Sequence, residues 1–234
     1  MKHQISIKTT DNVLSVEDFK AQGLTKNDVI GVVLQTEVVG MVVSLDQWEE
    51  IWCSEDNYKE FNEVCSEAEA LQTLSGLELT RNIVKQNEID GESMTAAMRC
   101  WQYDKGGLQW YLPCLYELGT IIAYRDELNE VFEVLGADFI DGDNWGWSSS
   151  ESGSHYAWGV NFGNGGFYNG GNLKYGSLVV RAVSAFSPLE RGDFSSPSGN
   201  GDREHISSPM TEEAAIEFLR SQGYTGVITK QISI

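Results

Sequence analysis

Histidine is scarce: His3, His155 and His205 stand alone and far apart, so a zinc site or a Ser/His/Asp triad has little to draw on. Basic residues are few as well. Sixteen Lys plus Arg face 35 Asp plus Glu, and the formal charge of −19 repels phosphate backbones and anionic membrane surfaces. Nucleic acid is not an expected partner. No uninterrupted apolar run reaches the roughly 18 residues that span a bilayer, so membrane insertion is not expected. The opening MKHQISIKTT has no apolar core and no small-residue cleavage site, so a soluble chain without a signal peptide is expected. Cys53, Cys65, Cys100 and Cys114 form no CxxC pair and no cluster of metal-ligand spacing. Free, mostly buried thiols are the expectation, with one or two disulfides as the alternative. There is no P-loop, and the glycines near Gly163 precede no helix that would cradle phosphate. Carboxylate pairs such as Glu49 with Glu50 and Glu212 with Glu213 read as solvated helix faces. Together these gaps argue against catalysis.

What is present is an ordinary core-forming content, 41% hydrophobic, over 234 residues. SVEDFKAQG predicts a short helix capped by Ser15 and closed at Gly23. VIGVVLQT and VGMVVSL, β-branched runs on either side of Glu37, predict a buried hairpin or consecutive strands. Ser44 with Gln47 resembles a capping box, so DQWEEIWCSE is expected to begin a helix that turns Trp48, Ile51 and Trp52 inward. Ser66 with Glu69 forms a second such box. SMTAAMRCWQY has helical apolar spacing. In LPCLYEL, Pro113 suits a first helical turn, with Leu115, Leu118 and Ile122 on one face; Asp126 can cap the next helix, closed by Gly136.

From Asp141 onward the composition changes. Ten of the 24 glycines lie between Gly142 and Gly176, interleaved with eight aromatic residues, which excludes helix and predicts short strands such as WGVNF and SLVVRAVSAF among long ordered loops. After Phe186, Pro188, Pro197 and Pro209 mark a Ser/Gly-rich stretch that reads as a flexible linker. TEEAAIEFLRSQG followed by YTGVITKQISI then predicts a helix and an alternating strand. QISI at Gln4–Ile7 recurs at the C-terminus, and coincidence is the stronger explanation over a repeat or paired terminal strands.

The succession GVVLQ, AAMRCWQY, WYLPCLYEL, WGWSSSES, YAWGVNFGNGG and VVRAVSAF resembles the C-type-lectin-fold variable proteins that retroelements diversify in gut Bacteroidales and their phages. That group is related in fold to the formylglycine-generating-enzyme-like proteins. The likeness runs from about Gly31 to Phe186. It implies that adenines in chosen codons are randomised, so that varied positions become Gly, Ser, His, Tyr, Phe, Leu, Val or Asp. The positions it marks as ligand-binding are Ser154, His155, Tyr156, Gly159, Gly163, Gly166, Phe167, Tyr168, Gly170, Gly171, Leu173, Tyr175, Gly176 and Leu178. Trp147, Ser148, Glu151, Ala157, Trp158, Val160, Asn161, Phe162, Gly165, Lys174, Val180 and Arg181 look fixed. The marked positions also have the composition of adaptable binding surfaces, with Tyr and His for rigid contact area and Ser and Gly for adaptable hydrogen bonds. The bland alternative is that a Gly-rich stretch forms tight turns and nothing more. Trp147 and Trp158 suit buried indoles better than sugar-stacking platforms, while Trp145 is less constrained.

The resemblance implies an α+β, C-type-lectin-like fold, with helices around a small twisted antiparallel sheet and long Gly-rich loops. The organisation it suggests is an N-terminal strand and helix extension over 1–24, a ligand-binding domain over 25–186 with a variable region near 145–186, a linker over 187–209 and a tail over 210–234. GVVLQ and VVRAVSAF are expected to pair near the base. The function it implies is recognition of a protein or glycan receptor on a bacterial surface, by a phage tail or cell-surface protein. A carbohydrate-binding module of fixed specificity is the second reading; a structural virion or adhesin component, forming a homo-oligomer through its tail, is the third. Oxidase chemistry of the related enzymes needs cysteines late in the domain, and none follows Cys114. No cofactor is expected. Asp141 and Asp143 supply hard oxygens for calcium, but an acidic turn is the favoured reading of DGDN because the remaining EF-hand positions are missing. Arg191-Gly192-Asp193 is a three-letter match with a chance explanation.

Overall fold

The computed structural model describes residues 3–92, 95–168 and 173–186. Its strands are β1 (Gln4–Thr9), β2 (Val13–Leu14), β3 (Val29–Gln35), β4 (Gly40–Ser44), β5 (Trp48–Ile51), β6 (Trp110–Tyr111), β7 (Trp145–Glu151), β8 (Ala157–Asn161), β9 (Phe167–Tyr168), β10 (Ser177–Val180) and β11 (Val183–Ala185). Its helices are α1 (Val16–Ala21), α2 (Glu67–Ala70), α3 (Leu77–Asp90), α4 (Ala96–Trp101), α5 (Leu115–Ala123) and α6 (Arg125–Leu135). The fold is α+β. One sheet has the order β2-β1-β3-β4-β11-β6 and the other the order β5-β10-β7-β8-β9.

The hydrophobic run of β3 is buried almost throughout because the first sheet is covered on both faces. Val32 and Leu34 join Leu118, Leu128 and Phe132 of α5 and α6. Val33 joins Ile83 and Val84 of α3 and Ala96 and Ala97 of α4. Adjacent residues thus point to opposite cores, as strand geometry requires. The chain passes from one sheet to the other at Arg181 and Ala182, between β10 and β11. There the Arg181 guanidinium is buried, donating to the Ser44 carbonyl at 2.8 Å, Gln47 Oε1 at 2.8 Å and the Asp138 carbonyl at 2.7 Å, and lying 4.8 Å from the Phe132 ring centre.

Several helix signals act as the sequence suggests. Ser15 Oγ accepts from the Asp18 amide, Ser66 and Glu69 form a reciprocal box, and Gly136 ends α6 with φ 60°. Pro113 precedes the Cys114 cap instead of sitting inside the first turn, and Asp126 lies in the first turn of α6 with Tyr124 at the cap.

Two expectations are corrected. DQWEEIWCSE forms strand β5, not a helix. The Ser44 hydroxyl donates to the Asp46 carbonyl, Gln47 is engaged by Arg181, and Trp48–Ile51 pairs antiparallel with β10, so tertiary pairing overrides the local box. GVVLQ and VVRAVSAF do not pair with each other. β4 stands between them, paired with β3 on one edge and with β11 on the other. The 1–24 segment contributes β1, which pairs with β3 from Gln4 to Thr9, and QISI of β1 faces residues 32–35. The linker, the tail, the C-terminal QISI and Arg191–Asp193 lie outside the described residues.

Candidate functional site

The Gly-rich region folds as β7, a turn, β8, a second turn and β9, and then returns through residues 173–176 into β10. Main-chain bonds hold the first turn. Ser152 N and Gly153 N donate to the Tyr156 carbonyl at 3.1 and 3.2 Å, and Tyr156 N donates back to the Gly153 carbonyl at 3.2 Å. The return segment is tied to it by Lys174 N donating to the His155 carbonyl at 3.0 Å and by a bridge between Tyr156 and Leu173. Because none of these bonds uses a side chain of Ser154, His155, Tyr156, Leu173 or Tyr175, those side chains can change while the loop keeps its path.

Beneath this surface the framework is buried. Lys174 is fully buried; its ammonium is paired with the Glu151 carboxylate, donates to the Lys59 carbonyl at 2.8 Å and lies 4.5 Å from the Trp52 ring centre. Glu151 also accepts from the amides of Phe61 at 3.1 Å and Asn62 at 2.6 Å. Burial pushes the Glu151 carboxyl above its ordinary value, while Lys174 and the two amides pull it down. The Lys174 carbonyl in turn accepts from Trp52 N at 2.7 Å and Cys53 N at 3.1 Å. One side chain and its backbone thereby fasten the return loop to β7 and to residues 52–62. The indoles are buried with satisfied N–H groups: Trp147 donates to the Glu50 carbonyl at 3.1 Å, and Trp158 to the Cys65 carbonyl at 3.1 Å. Trp145 is half-buried at the start of β7.

The marked residues fall into two groups. His155, Tyr156 and Tyr175 are exposed and Ser154, Leu173, Gly176 and Leu178 half-buried around the first turn and the return loop. Tyr58, which no local pattern singles out, joins them: its ring lies 4.6 Å from His155 and 6.1 Å from Tyr175. Partial burial, with Glu55 adding to it, raises the Tyr58 phenol above its ordinary value. The second group comprises Gly163, Gly166 and Phe167 at the second turn. Here Asn161 Oδ1 accepts from Gly163 N and Asn164 N, each at 3.0 Å, and Gly165 takes φ 70°, which glycine alone adopts freely. This turn borders an open cleft of about 410 Å³ lined by Ile122, Arg125, Asp126 and Asn164 among others, where the Arg125 guanidinium donates to the Phe162 carbonyl.

Two marked glycines are set apart. Gly159 is buried within β8, opposite Trp147 and Tyr168. At Gly163 an added Cβ would stand 2.5 Å from the Gly142 carbonyl oxygen, so a side chain there requires the Gly142 turn to move. The side chain of Tyr168, and Gly170 and Gly171, lie outside the described residues.

Asp141 and Asp143 form a compact turn in which the Asp141 carboxylate accepts from Asp143 N at 3.1 Å. Among the described residues, no three or more His, Cys, Asp or Glu side chains are grouped as a metal site, and no helix is long and apolar enough to cross a membrane. All four cysteines are free thiols, and burial pushes Cys53 up to about 12.

No family model matches the chain, and no curated protein does. Among solved structures it is similar to a fimbrial protein from Bacteroides ovatus ATCC 8483, with a TM-score of 0.59 and 15% identity over 78% of this chain. The match covers 49% of that protein, so the chain spans about half the length of its structural neighbour. The two share an α+β fold.

Proposed function

We propose that the chain is a non-catalytic recognition protein of C-type-lectin-like fold whose loop surface, from Ser154 to Leu178, is diversified by a retroelement. One observation carries the reading: the residues that look fixed and those that look replaceable differ in burial. Trp147, Ser148, Glu151, Ala157, Trp158, Val160, Phe162, Lys174, Val180 and Arg181 are all buried, whereas Ser154, His155, Tyr156, Gly163, Gly166, Phe167, Leu173, Tyr175, Gly176 and Leu178 all reach the surface in part or whole. Three residues depart from the division: Gly159 is buried, and the fixed-looking Asn161 and Gly165 are half-buried. A division of this kind is what a scaffold needs if its contacts are to change without its fold.

The partner is a protein or glycan receptor on a bacterial surface, met by this chain on a cell surface or a phage tail; no cofactor is required. The fimbrial neighbour supports a surface role in general. It also favours a second reading, a structural fibre component that assembles with copies of itself. The genes beside this one distinguish the two. A reverse transcriptase with a near-identical template repeat of the codons for 145–186 is expected; their absence, together with fibre genes, points to the structural reading.

A further inference from the structure

We infer that the recognition face extends onto residues 54–60, where Tyr58 is an aromatic anchor outside the replaceable loops, and that it takes an arginine- or lysine-bearing segment of a partner protein. This rests on the recognition reading above and names the chemistry of its partner. Four aromatic rings from three separate stretches of chain converge: Tyr58 with His155 and Tyr175, and His155 with Tyr156 at 6.4 Å. Tyr156 is 38% and Tyr175 44% exposed, so the cluster opens to solvent. Tyr58 differs from the other three because its segment is pinned by groups outside the loops: the Glu92 carboxylate accepts from Ser54 N at 3.0 Å and from Asn57 Nδ2 at 2.7 Å.

Three of the four charged residues in the 54–60 segment are acidic. Glu55, Asp56 and Glu60 are exposed on the same segment, and Glu55 acts on the Tyr58 phenol. The neighbouring lysines are committed elsewhere, Lys59 to Asp90 and Lys174, fully buried, to Glu151. Aromatic faces attract cations, carboxylates at the rim reinforce them, and the chain's charge of −19 steers a basic partner toward this surface. An anionic glycan meets repulsion at the same place.

The test titrates the full chain with an octa-arginine peptide and follows the ring signals of Tyr58, His155 and Tyr175 by NMR. The peptide is expected to move those signals. Tyr58→Leu, which keeps bulk and net charge but removes the aromatic face, should weaken binding roughly tenfold, while Tyr58→Phe retains it. Replacing Glu55, Asp56 and Glu60 by their amides should weaken it as well, which covers the case in which Tyr58→Leu fails to fold. Binding indifferent to Tyr58→Leu in a folded variant reduces the effect to bulk charge and overturns the inference. So does preference of the same rings for octa-glutamate or maltotriose, although that outcome leaves the recognition reading standing.

Discussion

Lys174 and Glu151 sit side by side with no solvent exposure, against Trp52 and Phe61, so neither charge has water to fall back on. Removing one partner strands the other. Lys174→Met is therefore expected to cost about 3–5 kcal/mol in urea unfolding, and pairing it with Glu151→Gln should recover part of that loss. Glu117 presents a different case, a buried carboxyl with no cation beside it among the described residues. It accepts from Tyr111 Oη at 2.8 Å and from the amides of Cys114 and Gly76, each at 2.9 Å, yet burial still raises its pKa above the ordinary value. A folded-state pKa above the unfolded one means that the folded protein holds this proton more tightly. Its contribution is complete below the unfolded pKa and is lost as pH rises through the folded one. The stability of the native protein relative to Glu117→Gln should accordingly fall as pH climbs out of the usual carboxylate range; a difference that grows with pH contradicts this assignment.

At the scale of elements, two loops that look alike in composition differ in tolerance. The 153–156 turn and the 173–176 return are held by backbone bonds, so His155→Ser or Tyr175→Ser should shift stability by less than about 0.5 kcal/mol. The 162–166 turn, held by Asn161 Oδ1, brings Gly163 so close to the Gly142 carbonyl that a side chain has no room, and Gly163→Ala should cost about 1–3 kcal/mol, read from the same urea midpoints. Elements differ in how legible they were from sequence. Local signals with local causes are read directly, as with the Ser15 and Ser66 caps, the β-branched runs of β3 and β4, and the exclusion of helix among the described residues between Gly142 and Gly176. The helix expected at 46–55 failed because the Ser44 hydroxyl turns to the Asp46 carbonyl and Gln47 is claimed by Arg181, a residue whose proximity only the fold creates. α3 carries no legible signal, since LELTRNIVKQNEID buries little more than Ile83 and Val84 among its apolar residues and shows a weak stripe.

Across the whole molecule, the separation of 1–24 from the domain at 25–186 has a physical test. Ile7 is fully buried and β1 pairs with β3 along its length, with Phe19 of α1 in the same core. Deleting residues 1–24 exposes that core and the β3 edge and should abolish cooperative thermal unfolding of the remainder; a sharp transition near the native temperature would instead make the segment dispensable. The candidate site was partly legible for the same reason that the fold was. Residue types along 153–178 pointed to a binding surface, but Tyr58 enters it from about 100 residues away, and the steric limit at Gly163 depends on a turn 21 residues earlier. Neither leaves a trace in local sequence.

The central claim is that surface and framework change independently. The most direct measurement is deep sequencing of the codons for residues 145–186 from many cells or particles of one source. The account predicts substitutions at the codons for Ser154, His155, Tyr156, Leu173 and Tyr175, arising from adenine positions, with Trp147, Glu151, Trp158 and Lys174 constant throughout. Uniform loops, or changes spread equally over the buried residues, would contradict it.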